Sequence, residues 1–102
     1  MTRYAAQVDA NQAAIVSALR GIGATVAPLH RVGGGCPDLL VGFRGRNLLI
    51  EVKDGGKPPS ARKLNDLQAD WHGGWKGQVA VAEDADAAVA IVLGAALRGA
   101  VS

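Results

Sequence analysis

Pro37-Asp38-Leu39-Leu40-Val41-Gly42-Phe43-Arg44-Gly45-Arg46-Asn47-Leu48-Leu49-Ile50-Glu51-Val52-Lys53 consists of two apolar runs joined by a turn-forming Arg-Gly-Arg. The pattern predicts an antiparallel hairpin with strands over about 38–43 and 47–53. Side chains alternate along a strand, so Glu51 and Lys53 share a face and Val52 points to the opposite one. Returning the chain through Gly45 brings Asp38, at the start of the first strand, laterally beside Glu51 and Lys53. Two carboxylates and an ammonium then occupy a place where apolar residues are expected. Charges buried in this way are costly unless they are paired or hold a metal.

The chemistry of that cluster follows from its ligand types. Hard divalent cations prefer oxygen and usually keep several waters, so Asp38, Glu51 and the main-chain carbonyl of Val52 are enough for Mg²⁺ or Mn²⁺. Lys53 is then placed to orient or deprotonate a water, or to neutralise charge that develops on a phosphate under attack. Metal-dependent phosphodiester hydrolysis is the expectation. The competing reading is a structural ion pair on a half-solvated sheet.

Working outward, Val8, Gln12, Ile15, Leu19 and Ile22 recur at helical spacing and predict a helix over about 8–20, closed by Gly21 and Gly23. A strand is expected over 24–28, then a glycine loop at 33–35 leading into the hairpin. The segment 54–60, with two glycines and two prolines, reads as a loop, and Ser60 as the N-cap of a second helix. Leu64, Leu67, Gln68, Trp71 and Trp75 are expected on one face of that helix, which frays at Gly73-Gly74. A short buried strand over 78–82 follows, and Asp84 or Asp86 opens a final Ala-rich helix. The sum is an α/β domain of order α-β-β-β-α-β with a C-terminal helix, its sheet mixed because the last strand returns through a helix crossover.

The chain has 102 residues, 49% hydrophobic, with four aromatic residues and a net charge of +2. That length suits one domain over 1–102 that buries only about 60–70% of its unfolded surface, which makes dimerisation reasonable. The lone Cys36 forms no internal disulfide and fits a reducing cytoplasm. No amino-terminal signal is visible, and the apolar run 87–97 is shorter than the roughly 20 residues a membrane helix needs, so a soluble intracellular protein is expected. Arg31, Arg44, Arg46, Lys53, Lys57, Arg62 and Lys63 gather around the hairpin, whereas Glu83, Asp84 and Asp86 lie beyond it. A phosphate backbone would meet the basic part.

Pro37-Asp38 followed by Glu51-Val52-Lys53 resembles the PD-(D/E)xK nuclease superfamily. Gly33-Gly34-Gly35-Cys36-Pro37-Asp38 and the later helix with Leu64, Gln68 and Trp71 are similar to the small stand-alone VRR-NUC nucleases of phages and prophages. The resemblance covers roughly 8–81. It implies a restriction-endonuclease-like core and Mg²⁺- or Mn²⁺-dependent DNA cleavage, often on branched DNA such as four-way junctions or flaps, frequently by homodimers inside a bacterial host cell. It implies Asp38, Glu51 and the Val52 carbonyl as metal ligands, Lys53 as the group that positions water, and Gln68 as a site or substrate contact. No small-molecule cofactor is expected. The family often carries a Glu on the first helix that reaches the metal. Here Asn11 or Gln12 occupies that place, as a neutral outer neighbour that lends no charge. A catalytically weak or inactive DNA-binding or assembly module is therefore the alternative, and a hydrolase of a small phosphorylated molecule a third.

The remaining motifs point to little chemistry. His30, Cys36 and His72 lack the paired spacing of a zinc site. Gly33-Gly34-Gly35 has no Walker-type Lys and Ser/Thr and reads as a turn. Gln68, on an otherwise apolar helix face, needs partners, either at the site or at a strand end. Trp71 and Trp75 read as core or dimer-interface residues in preference to base-stacking platforms.

Overall fold

Ile15 and Leu19 lie one turn apart and are fully buried, and they seat the helix α1, Gln12–Gly21, on the core. The computed structural model describes residues 9–101, with side chains described over 9–97. The expected start at Val8 lies outside the described residues. Within them, a turn closed by Gln12 N–H donating to Asp9 O leads into a helix that begins later than the periodicity suggested. Gly23, with φ +95°, reverses the chain after α1, and its N–H donates to Arg20 O.

Four strands follow the expected order: β1 (Thr25–Pro28), β2 (Leu39–Phe43), β3 (Arg46–Val52) and, after the helix α2 (Asp66–Gly74), β4 (Val79–Ala82). The helix α3, Ala85–Val101, is the last element of the described residues, with Asp84 Oδ1 accepting from Ala87 N–H at its start. The sheet runs β1-β2-β3-β4, antiparallel across the first two pairs and parallel between β3 and β4. The β2–β3 turn is Arg44-Gly45, both with positive φ (51° and 78°), the handedness that continues strand twist in a two-residue loop. Parallel pairing of β3 with β4 requires a crossover, and α2 supplies it.

The two faces of the sheet have different fates. Leu39, Val41, Leu48, Ile50 and Val52 pack with Ile15, Leu19, Ala88 and Val92 under α1 and α3. Each fully buried Leu or Ile side chain there stabilises the fold by about 1.5–3 kcal/mol. The other face carries Leu40, Leu49 and Glu51 and is covered in part by α2, none of whose residues is fully buried. That incomplete cover leaves the site open.

Four local expectations are corrected. Ser60 is not the cap of α2. It falls in a separate 3₁₀ turn, Pro59–Ala61, while Asn65 caps the helix, and Leu64 precedes it. The cap is reciprocal: Asn65 Oδ1 accepts from Gln68 N–H at 2.9 Å and Gln68 Oε1 accepts from Asn65 N–H at 3.0 Å. Trp75 is not a core residue, being 46% exposed just past the end of α2, and Leu67 is 59% exposed.

Candidate functional site

Ile50 pairs with Leu39, so the next position of β3 brings Glu51 opposite Asp38, on the face that α2 only partly covers. The ladder of β2 with β3 ends at the Leu39–Ile50 pair, so Val52 N–H lies beyond the backbone acceptors of β2. Asp38 Oδ2 takes the place of a backbone acceptor, at 2.7 Å from Val52 N. One oxygen of Asp38 is thereby fixed to the strand, and the carboxyl group is held beside Glu51.

Glu51 is 3% exposed, and its Oε1 is buried without a hydrogen-bond partner. Burial, then the charge of Asp38 and a hydrogen bond to it, push the Glu51 carboxyl up to about 8 from its ordinary 4.5. Asp9 adds to the shift and Lys53 opposes it. The raised value favours the protonated form of the Glu51 carboxyl near neutral pH, because burial beside a second carboxylate disfavours its charge. Burial, followed by the charges of Glu51 and Asp38, also raises the Cys36 thiol.

Lys53 and Gln68 complete the cluster. Lys53 Nζ lies 2.9 Å from Gln68 Oε1 and 3.9 Å from Glu51 Oε2, and Gln68 Nε2 donates to Glu51 Oε2 at 3.0 Å. The ammonium and the Asn65 N–H both need an acceptor, which fixes the orientation of the Gln68 amide. One side chain thus caps α2 and joins Glu51 of β3 to Lys53 just past its end. Asp38, Glu51, Lys53 and Gln68 line a cleft of about 390 Å³, with Val52, Asn65 and the loop residues His30, Gly35 and Cys36.

The two outer neighbours expected on the first helix part company. Asn11 does not reach the carboxylates. Its Nδ2 donates to Lys53 O at 3.0 Å and Glu83 O at 2.9 Å, clamping the ends of β3 and β4 behind the site. Gln12 is buried on α1 and lines a different groove, with Ala13, Val16 and Arg20. The acidic residue on this side of the cleft is Asp9, in the turn before α1, which the helical periodicity gave no reason to select.

Of the basic residues, Lys53 alone lines the cleft among the described residues. Arg44 and Arg46 sit at the hairpin tip, five to six residues along the strands or roughly 17–20 Å from the carboxylates. Arg62 Nη1 is paired with Glu83 Oε1 at 3.0 Å, which straps the 54–63 loop to the end of β4. Arg31, Lys57 and Lys63 are exposed on loops. His72 is held below its ordinary value by burial and then by the Lys53 charge.

The donor set fits a hard divalent cation. An orphaned buried oxygen of Glu51 lies beside the Asp38 carboxyl, and Asp9 lines the same cleft; among the described residues no three His, Cys, Asp or Glu side chains gather as a metal cage. Mg²⁺ suits such a two-carboxylate site because it retains water in its remaining positions. Comparisons of the chain with protein-family models, with curated proteins and with solved structures find no match. The functional reading accordingly rests on the chemistry of the cleft.

Proposed function

We propose that the protein is a Mg²⁺- or Mn²⁺-dependent endodeoxyribonuclease with a restriction-endonuclease-like core of the VRR-NUC type, acting on branched DNA such as four-way junctions or flaps. The observation that carries this reading is the pair Asp38 and Glu51 lining one open polar cleft, with a buried Glu51 oxygen left without a partner and Lys53 beside them. Asp38, Glu51 and the Val52 carbonyl would hold the cation. When bound, it supplies polarisation of a phosphate oxygen and a lower pKa for a coordinated water.

The chain's own groups do the rest. Gln68 holds the Lys53 ammonium toward the cleft, away from full ion pairing with Glu51, so its charge remains for the negative charge that builds up on the phosphate oxygens during attack. Asn11 fixes the main chain from which Lys53 projects. Arg31, Lys57 and Lys63, on exposed loops, supply charge for the phosphate backbone beyond the cleft, and Arg44 and Arg46 extend that reach to the hairpin tip. A homodimer would offer one such centre to each strand of a junction.

A catalytically silent DNA-binding module is the second reading, favoured by the small number of carboxylates at the cleft. Among the described residues no helix is long and apolar enough to cross a membrane. An open cleft with a largely polar lining suits a polymer in place of a small enclosed phosphate ester.

Incubation with labelled junction, flap, single-stranded and duplex DNA in Mg²⁺, Mn²⁺ or EDTA, beside Asp38→Asn and Lys53→Ala, tests the proposal. Metal-dependent cutting that both substitutions abolish is the expected result. Binding without cutting in every metal would leave only the DNA-binding module.

A further inference from the structure

Next to the cleft, on the same face of the sheet, lies a second concavity of about 420 Å³, walled by Leu40, Leu49, Trp71 and Trp75 and sharing Cys36 with the first. Its size is that of a small-molecule site and its walls are mostly apolar, with Asn47 and Gln78 as polar groups. Trp71 and Trp75 stack at a centroid distance of 4.7 Å and an interplanar angle of 19°. Trp75 is held in place although it is 46% exposed: a Cβ at Gly77 would stand 2.9 Å from its Nε1, so the glycine allows the indole to lie against the chain.

Gln68, Trp71 and Trp75 are spaced i, i+3 and i+7, which places all three on one side of α2 and at its end. The helix therefore runs from the carboxylates to the aromatic pair over about 10 Å. A strand whose phosphate lies at Asp38 and Glu51 has its neighbouring nucleotide within reach of the Trp75 ring. Every nucleobase has an apolar face that stacks on an aromatic side chain, but a base inside a duplex has both faces already covered.

We propose that this groove is a subsite for an unpaired nucleobase adjacent to the scissile phosphate, with Trp75 as its stacking platform. The proposal rests on the hydrolytic reading of the neighbouring cleft and gives a reason for acting on branched DNA: flaps and junctions expose unpaired bases that a continuous duplex does not. Asn47 and Gln78 would meet the polar edge of the base, while the stacking itself accepts any base.

The test uses the full chain in EDTA, so that no cutting is needed. One duplex carries a short overhang with 2-aminopurine, a fluorophore quenched by stacking, as an unpaired base, and a second carries it paired. The wild type is expected to quench the unpaired fluorophore. Trp75→Leu should abolish the quench and weaken binding of the overhang duplex about 5- to 150-fold while leaving the paired duplex unchanged, and Trp75→Phe should restore both. An unchanged quench in Trp75→Leu, or equal loss of affinity for both duplexes, overturns the subsite. So does a Trp75→Leu protein that sediments as a monomer where the wild type is a dimer but still quenches, which would assign this face to a second copy of the chain. Quenching by a wild type that cuts in no metal supports the subsite and removes the hydrolysis; metal-dependent cutting without quenching does the reverse.

Discussion

Gln68 Nε2 donates to Glu51 Oε2 at 3.0 Å, which ties the first turn of α2 to the acidic end of β3. The same amide accepts from Lys53 and from the Asn65 backbone, so the cap of the helix and the spacing of the charged pair depend on one side chain. A residue of this kind holds Glu51 and Lys53 in place without itself supplying charge.

Gln68→Ala should therefore separate two effects. Loss of half the capping box destabilises the fold by about 1 kcal/mol, readable as a modest fall in Tm. Release of Lys53 and Glu51 lowers kcat by roughly 10- to 100-fold, the usual cost of losing a partner that orients a metal ligand. A fall in Tm with full cleavage would mean that Gln68 serves only the helix.

Asp38→Ala removes the acceptor of Val52 N–H, leaving a strand donor without a partner at a cost of about 1–3 kcal/mol. Asp38→Asn keeps an acceptor oxygen at that position and should melt close to the wild type, yet cut DNA at least about a thousandfold more slowly through loss of a metal ligand. Thermal melts beside single-turnover cleavage check both parts. Equal activity in Asp38→Asn would place the metal elsewhere.

The proton on Glu51 gives the metal-free protein a stability that depends on pH. The folded carboxyl keeps its proton to about pH 8, whereas the unfolded one releases it near 4.5. Between those values the folded state binds more protons, so stability from this group is fully present below about 4.5 and is lost as pH rises toward 8. Urea melts in EDTA from pH 5 to 8.5 should show this decline, and Glu51→Gln should flatten it. A rise over the same range in the wild type would mean that Glu51 is ionised throughout.

Gly35 has φ +87°, and a Cβ there would stand 2.5 Å from Leu67 O in the first turn of α2. Gly35→Ala should force α2 away from the 29–36 loop and cost more than about 1 kcal/mol through backbone strain alone. Hydrogen exchange at Gln68 and Ala69 should quicken more than exchange in β3. Uniform loss of protection would show that the loop, not the helix, yields.

The strands were legible because β2 and β3 are long apolar runs around a glycine turn, and alternation then put Asp38, Glu51 and Lys53 on one face. Gln68 was legible as an amide on an apolar stripe, but its double duty was not. The signal was Asn65 three residues ahead of Gln68, the spacing of a reciprocal cap. Ser60 obscured it, standing before a run of good helix formers that instead makes a short 3₁₀ turn, with Arg62 drawn to Glu83. Asp9 was missed for another reason: it belongs to a turn, and no periodicity identifies a residue that reaches a cleft from a turn. Nor did the sequence reveal that α2 covers the sheet so sparingly, since Trp71 and Trp75 at helical spacing read as core or dimer-interface residues.

The account turns on Glu51 holding a proton that a divalent cation displaces. Calorimetric titration of the protein with Mn²⁺ at pH 7, in two buffers of different ionisation enthalpy, measures that exchange directly. Release of close to one proton per ion bound, absent in Asp38→Asn and Glu51→Gln, is the expected result. Binding that releases no proton, or no binding in the wild type, would contradict the assignment of Asp38 and Glu51 as a metal site.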